Sequence, residues 1–124
     1  MVSLTKQRIA SLLGIAIGLL SIFAGSKVLL GISIPAYTVL KWLVVYNLVL
    51  GFVSVAAGIG LWKEHRSGLL FAILIAISHS IILIALSAIY LTGGAVAAKS
   101  ILAMVFRTSL WLLIIMLVRK AAAA

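Results

Sequence analysis

Arg107 is the residue whose chemistry is most unusual for its position, because it lies within an apolar run of membrane-spanning length. The only acidic residue, Glu64, falls in a loop, so the spans contain no carboxylate to pair with it. A guanidinium in a span costs roughly 2.5 to 3.5 kcal/mol, so such residues usually face a bundle interior, a water-filled cavity or an exogenous anion. We therefore predict that Arg107 recognises an anion. The alternatives are an arginine that snorkels outward or bonds carbonyls for packing, and one paired with a carboxylate of a partner protein.

Asn47, Tyr46 and Trp111 are the residues expected to act together with Arg107. At about 1.5 Å of rise per residue, Asn47 lies about 9 Å and Arg107 about 12 Å below the outer boundary, and both lean outward. Asn47 and Tyr46 are predicted to orient a carboxylate, a phosphate or a quinone carbonyl held by the arginine. Trp111 follows Arg107 by one helical turn and offers a cation–π contact. A hydrogen bond between helices explains Asn47 equally well.

His79 lies at the predicted midplane of the third span, and its side chain leans inward, somewhat deeper than Asn47 and Arg107. A neutral imidazole hydrogen-bonded to Ser or Asn within the bundle is expected, with a proton relay, a ligand contact, or a haem or metal ligand as alternatives. In the ligand-binding interpretation, His79 tunes the charge at the floor of the pocket. A haem held by two histidines would need a dimer sharing two copies of His79, because the other histidine, His65, lies in a loop. We therefore expect no cofactor, with quinone or haem as the alternative.

The composition identifies the class of protein. Of 124 residues, 66% are hydrophobic and 9% are charged, and the mean hydropathy is +1.42, which together indicate an integral membrane protein. Without cysteine there are no disulfides or thiolate metal sites. The formal charge of +9 is interpreted as orientation signals and contacts with lipid phosphates, not as nucleic-acid binding. Neither a hydrolase motif nor a proton-carrying carboxylate is present in the spans, so we expect neither an enzyme nor a carboxylate-driven antiporter.

Four apolar runs are long enough to cross about 30 Å of hydrocarbon, at residues 9–30, 40–62, 68–91 and 97–118. Their continuous Leu, Ile and Ala favour helices over barrel strands. The sequence therefore predicts an all-α domain over residues 1–120, in which four transmembrane helices form an antiparallel bundle. The terminal alanines, residues 121–124, are typical of a tag or cloning remnant.

The basic residues predict that both termini are cytoplasmic. Six lie on one side of the four-span topology and three on the other, which favours the first side as cytoplasmic under the positive-inside rule. The six are Lys6, Arg8, Lys63, Arg66, Arg119 and Lys120, and the three are Lys27, Lys41 and Lys99. The first 26 residues also fit a signal peptide, but the chain retains Met1, which favours a span.

Small residues recur at spacings of three and four in the first two spans. Because these spacings place them on one helical stripe, they predict close helix packing, with a cavity lined by the stripes as the alternative. The first stripe is Gly14, Gly18, Ser21 and Gly25, and the second is Asn47, Gly51, Ser54 and Gly58.

These observations predict a multi-pass membrane protein, in the cell (inner) membrane if the source is prokaryotic. We expect it to bind or conduct a small anionic or amphiphilic ligand in the outer half of the bundle. A homo-oligomer is expected if there is a translocation path, since four short helices enclose little space. The alternatives are a structural or accessory subunit packed against partner membrane helices, and a quinone or haem anchor.

Overall fold

The computed structural model describes residues 4–31, 40–63 and 66–123, and these form four α-helices. All four are long and apolar enough to cross a membrane, which confirms the prediction of a multi-pass helical membrane protein. The helices are α1 (Leu4–Leu29), α2 (Lys41–Trp62), α3 (Arg66–Leu91) and α4 (Ala98–Ala123). Glu64 and His65, which the sequence places in a loop, lie outside the described residues.

The first and last helices of the chain, α1 and α4, extend beyond the apolar runs from which they were predicted. α1 begins at Leu4 and includes Lys6 and Arg8, because long unbranched polar side chains are good helix formers. α4 continues to Ala123, through alanines of the highest helix propensity. The apolar run therefore predicts only the part of each helix that suits lipid. Residues of high helix propensity continue the helix beyond that run.

Two glycines with positive φ angles follow the helices that end in tight turns. Gly31 after α1 has a φ of 74° and Gly93 after α3 has a φ of 84°, a conformation that side chains with a Cβ rarely adopt. The Gly94 amide donates to the Ile89 carbonyl at 2.7 Å, which satisfies a carbonyl of the last turn of α3. α3 is therefore followed by a tight turn at Thr92 and Gly93.

The helices contact one another in a closed ring. Each packs against its neighbour in the chain, and α1 also packs against α4. Within the described residues the diagonal pairs, α1 with α3 and α2 with α4, do not approach closely, and α1 with α2 is the most extensive pair. The four-membered ring leaves a central space, and the side chains at each level decide whether it is filled.

Two separate groups of buried apolar residues fill parts of this space. The larger one, here called the Trp111 core, comprises Ala10, Ile17, Ala57, Leu61, Ala72, Ile75, Ala76, Trp111, Ile114 and Val118. The smaller one, the Met104 core, comprises Leu43, Leu86, Val96 and Met104. Large apolar side chains also cover the exposed outer surface of the bundle, as expected for helices that face lipid.

Candidate functional site

A cavity of about 130 Å³ lies between α1, α2 and α4. Its polar lining residues are Ser21 on α1, Asn47 on α2, and Lys99, Ser100 and Arg107 on α4. The rest of the lining is apolar or small, and comprises Ala24, Gly25, Val28, Leu40, Leu43, Val44 and Ala103. Arg107 and Asn47, which the sequence predicts at similar depths, thus line one cavity.

α4 supplies both cationic groups of the lining. Lys99, Ala103 and Arg107 are each four residues apart, so helical geometry places them on one face of α4. Side chains of a helix lean toward its N-terminus, so Arg107 leans along the cavity toward Lys99. From the sequence, Lys99 is interpreted only as a signal of orientation, and its place in the cavity lining is not predicted. Its spacing from Arg107 on one helical face is the signal that would have identified it.

Asn47 provides a hydrogen-bonding group on the α2 wall. Its Oδ1 atom is buried and has no hydrogen-bond partner among the described residues. A buried amide oxygen without a partner costs about 1–3 kcal/mol, so a bound molecule that donates a hydrogen bond is favoured there. Ser21, which lines the cavity from α1, is buried. The interior of the cavity therefore combines a guanidinium with an amide and a hydroxyl.

Tyr46 and His79 form a pair outside the cavity lining. The Tyr46 hydroxyl and His79 Nδ1 are 2.9 Å apart, and the two rings meet edge to face with centroids 5.7 Å apart. His79 is buried. The Tyr46 hydroxyl, which the sequence predicts to orient a ligand, instead contacts His79, and the pair connects α2 with α3.

Trp111 is fully buried in the Trp111 core and is not part of the cavity lining. It packs against α1, where a Cβ built on Gly14 would lie 3.1 Å from its Cη2 atom. Because Trp111 follows Arg107 by one turn of α4, it lies on the side of Arg107 away from Lys99. Its large side chain packs from α4 against α1, beyond the end of the cavity that Arg107 lines.

The small residues of the two stripes divide between packing and the cavity. Gly14, Gly18, Gly51 and Gly58 lie where α1 and α2 approach closely, and Ser54 donates to the Leu50 carbonyl of its own helix at 2.6 Å. Ser21 and Gly25 line the cavity instead. The small residues of the stripes thus contribute both to close helix packing and to the lining of the cavity.

The cavity is electropositive. Its lining contains Lys99 and Arg107 and no acidic residue, and Glu64 is the only acidic residue of the whole chain. That residue follows the end of α2, whereas the cavity is lined by the first two turns of α2, from Leu43 to Asn47. Positive charge in a poorly solvated, partly apolar space attracts an anion more strongly than the same charge in water.

The chain matches no protein-family model, no curated protein and no solved structure. Its function is therefore inferred from the residues of the cavity and their surroundings.

Proposed function

We propose that this protein binds a small anionic or amphiphilic ligand in the cavity between α1, α2 and α4. The observation that carries the proposal is that Arg107, Lys99 and Asn47 line one otherwise apolar cavity. Arg107 anchors the negative group, because its planar guanidinium donates two parallel hydrogen bonds to a carboxylate or phosphate. Asn47 orients the ligand through its buried amide. Tyr46 and His79 lie outside the cavity lining, and their contact joins α2 to α3.

The bundle is proposed to be antiparallel, with its cavity in the outer half of the membrane. Two pairs of contacts support this direction of packing. A Cβ built on Gly14 lies 3.6 Å from the Gly58 Cα, whereas one built on Gly25 lies 3.4 Å from the Leu48 Cβ, so α2 runs back along α1. The count of basic residues favours cytoplasmic termini, and this puts the start of α2 on the outer side.

The orientation can be tested by labelling, because the chain has no native cysteine. A cysteine introduced at Lys63, in the connection after α2, should react with a membrane-impermeant maleimide only after the cells are opened. Reaction in intact cells, with Lys99→Cys protected, would reverse the orientation and move the cavity to the cytoplasmic half.

Conduction of the ligand is the wider form of the proposal and needs more than one copy of the chain. A cavity of about 130 Å³ is a binding site and not a path across the membrane. A dimer or larger homo-oligomer would supply the remaining walls of a path. The accessory-subunit alternative requires Arg107 to face a partner protein, and its position in a cavity lined by three helices of its own chain favours ligand binding instead.

Substitution of Arg107 tests the proposal. In neutral detergent, small carboxylates, phosphate and anionic lipids should raise the melting temperature of the wild type, because a ligand that binds only the folded state stabilises it. Arg107→Gln should weaken that anion binding at least about tenfold, since a charge-assisted hydrogen bond contributes about 1.5–3 kcal/mol. Arg107→Lys should restore it only in part, because an ammonium lacks the bidentate fork.

Tyr46→Phe is the matched control for this experiment, since it removes a hydroxyl that contacts His79 and does not line the cavity. Its anion dependence should equal that of the wild type. If no anion stabilises the wild type, and Arg107→Gln melts at a lower temperature under every condition, the arginine serves packing and the accessory-subunit alternative is preferred.

A further inference from the structure

We infer that the ligand is an anionic glycerophospholipid whose head group enters the cavity sideways, from the bilayer, between α1 and α4. The inference rests on the proposed function, since it names the ligand class and the route for the same cavity. Four features of the structure carry it: where the cavity is exposed, how large it is, which hydrogen-bonding groups it holds, and what surrounds its opening.

The opening lies on the side of the bundle. Of the described residues that line the cavity, Ala24 on α1 and Lys99 on α4 are exposed, and the others are buried or partly buried. α1 and α4 are also the least extensively packed of the neighbouring pairs. The two exposed residues therefore mark a gap between these helices, here called the α1–α4 seam.

The cavity is large enough for a ligand's head group but not for a whole lipid-sized ligand. Cavities of about 150 Å³ hold a molecule the size of benzene, whereas drug-sized ligands occupy about 300–1,000 Å³. A space of about 130 Å³ thus accepts a phosphate with its nearest atoms. Any larger part of the ligand must remain outside, beyond the α1–α4 seam.

The hydrogen-bonding groups fit a phosphate that carries a hydroxyl nearby. Arg107 and Lys99 supply donors and positive charge for the phosphate oxygens. The buried Oδ1 of Asn47 accepts hydrogen bonds only, so it requires a donor from the ligand. A glycerol head group provides that hydroxyl beside its phosphate, whereas a choline head group provides neither a donor nor a net negative charge.

The surroundings of the α1–α4 seam fit acyl chains. Leu20 lies one turn from Ala24 on α1, Phe106 lies one turn from Ala103 on α4, and both are well over half exposed, at 63% and 61%. In a membrane-spanning helix such side chains face the hydrocarbon. A lipid would thus place its head group against Arg107 and its chains along these two residues, without leaving the bilayer.

The test compares three probes on the purified protein in neutral detergent: phosphatidylglycerol, phosphatidylcholine and soluble glycerol phosphate. Phosphatidylglycerol should raise the melting temperature saturably, and phosphatidylcholine should not. Glycerol phosphate should act only at concentrations at least about tenfold higher, because it lacks the chains that bind along the α1–α4 seam. Ala24→Trp should abolish the effect of phosphatidylglycerol by filling the opening, while the control Ala16→Trp should retain it, since Ala16 is exposed on α1 outside the cavity.

If Ala24→Trp fails to fold, Lys99→Gln provides the test instead. The Lys99 side chain is exposed, so its substitution should leave folding intact. Lys99→Gln should weaken phosphatidylglycerol binding about tenfold. Equal stabilisation by glycerol phosphate and phosphatidylglycerol would overturn the lipid inference and leave the proposed function standing. Retained phosphatidylglycerol binding in a folded Ala24→Trp protein, or equal stabilisation by phosphatidylcholine, would also overturn it. If no anionic probe stabilises the wild type, the proposed function and the inference both fail.

Discussion

α1 contacts two neighbours, α2 and α4, in different ways. Against α2 it packs backbone to backbone: a Cβ built on Gly18 would lie 2.7 Å from the Gly51 carbonyl oxygen, so no side chain fits between them. Ser11 adds a buried hydrogen bond by donating to the Gly58 carbonyl at 2.6 Å. Association of helices in lipid depends on such close packing and polar contacts, because burying apolar surface gives no advantage over leaving it in lipid.

Against α4, the same helix is in contact at one end and separated at the other. Trp111 fills the space beside Gly14, and the cavity with Arg107 opens farther along, beside Ser21 and Gly25. The small residues of α1 thus permit close approach but do not enforce it. A glycine opposite another glycine gives a tight interface, and a glycine opposite alanine and long polar side chains leaves a cavity.

Gly18→Leu should have the largest effect on this contrast, because it inserts a side chain where a Cβ alone is already too close to α2. We expect a loss of at least about 3 kcal/mol of stability, at the upper end of overpacking, and the same for Gly51→Leu. Unfolding in detergent, followed by circular dichroism, measures it. The matched control is Ala56→Leu, at an exposed position on α2, which should change little.

Gly25→Ala compares the part of the α1–α2 interface beside the cavity with the closely packed part at Gly18. A Cβ at this position would lie 3.4 Å from the Leu48 Cβ, an ordinary contact, so stability should be unchanged or slightly raised. Gly18→Ala should be destabilising under the same conditions. Equal effects at the two glycines would show that the two parts of the interface do not differ in closeness.

Trp111→Ala should have a smaller effect than Gly18→Leu, and it acts on the α1–α4 contact. In lipid the transfer term for an apolar side chain is small, so the cost comes mainly from the space left behind. A residual space of roughly 100 Å³ at about 24 cal/mol per Å³ gives a loss of about 2–3 kcal/mol. Trp111→Phe should lose less, and its anion binding should match the wild type, because Trp111 does not line the cavity. Loss of anion binding with unchanged stability would instead place Trp111 in the site.

Two of the five predicted ligand-binding residues line the cavity, because position along a helix follows directly from sequence, and Tyr46, His79 and Trp111 lie outside the lining. Arg107 and Asn47 were predicted at similar depths from the rise per residue, and they line one cavity. Lys99 was missed because a lysine near a helix end is usually an orientation signal. The Tyr46–His79 bond was missed as well, since depth does not reveal which face of α2 meets α3.

The sequence by itself determined the class of protein, the number of helices and the position of each polar residue along its helix. Continuous apolar runs of spanning length have few other stable forms in lipid, where every backbone group must bond within its own segment. Rotation of the helices about their axes was decided only by the tertiary structure. Almost every face of these helices is apolar, so hydrophobic pattern does not distinguish inside from outside, and the fit of glycines against glycines and of Trp111 against Gly14 does. That rotation turned the face of α4 that carries Lys99 and Arg107 toward α1 and α2, and Trp111 into the core, and so formed the cavity.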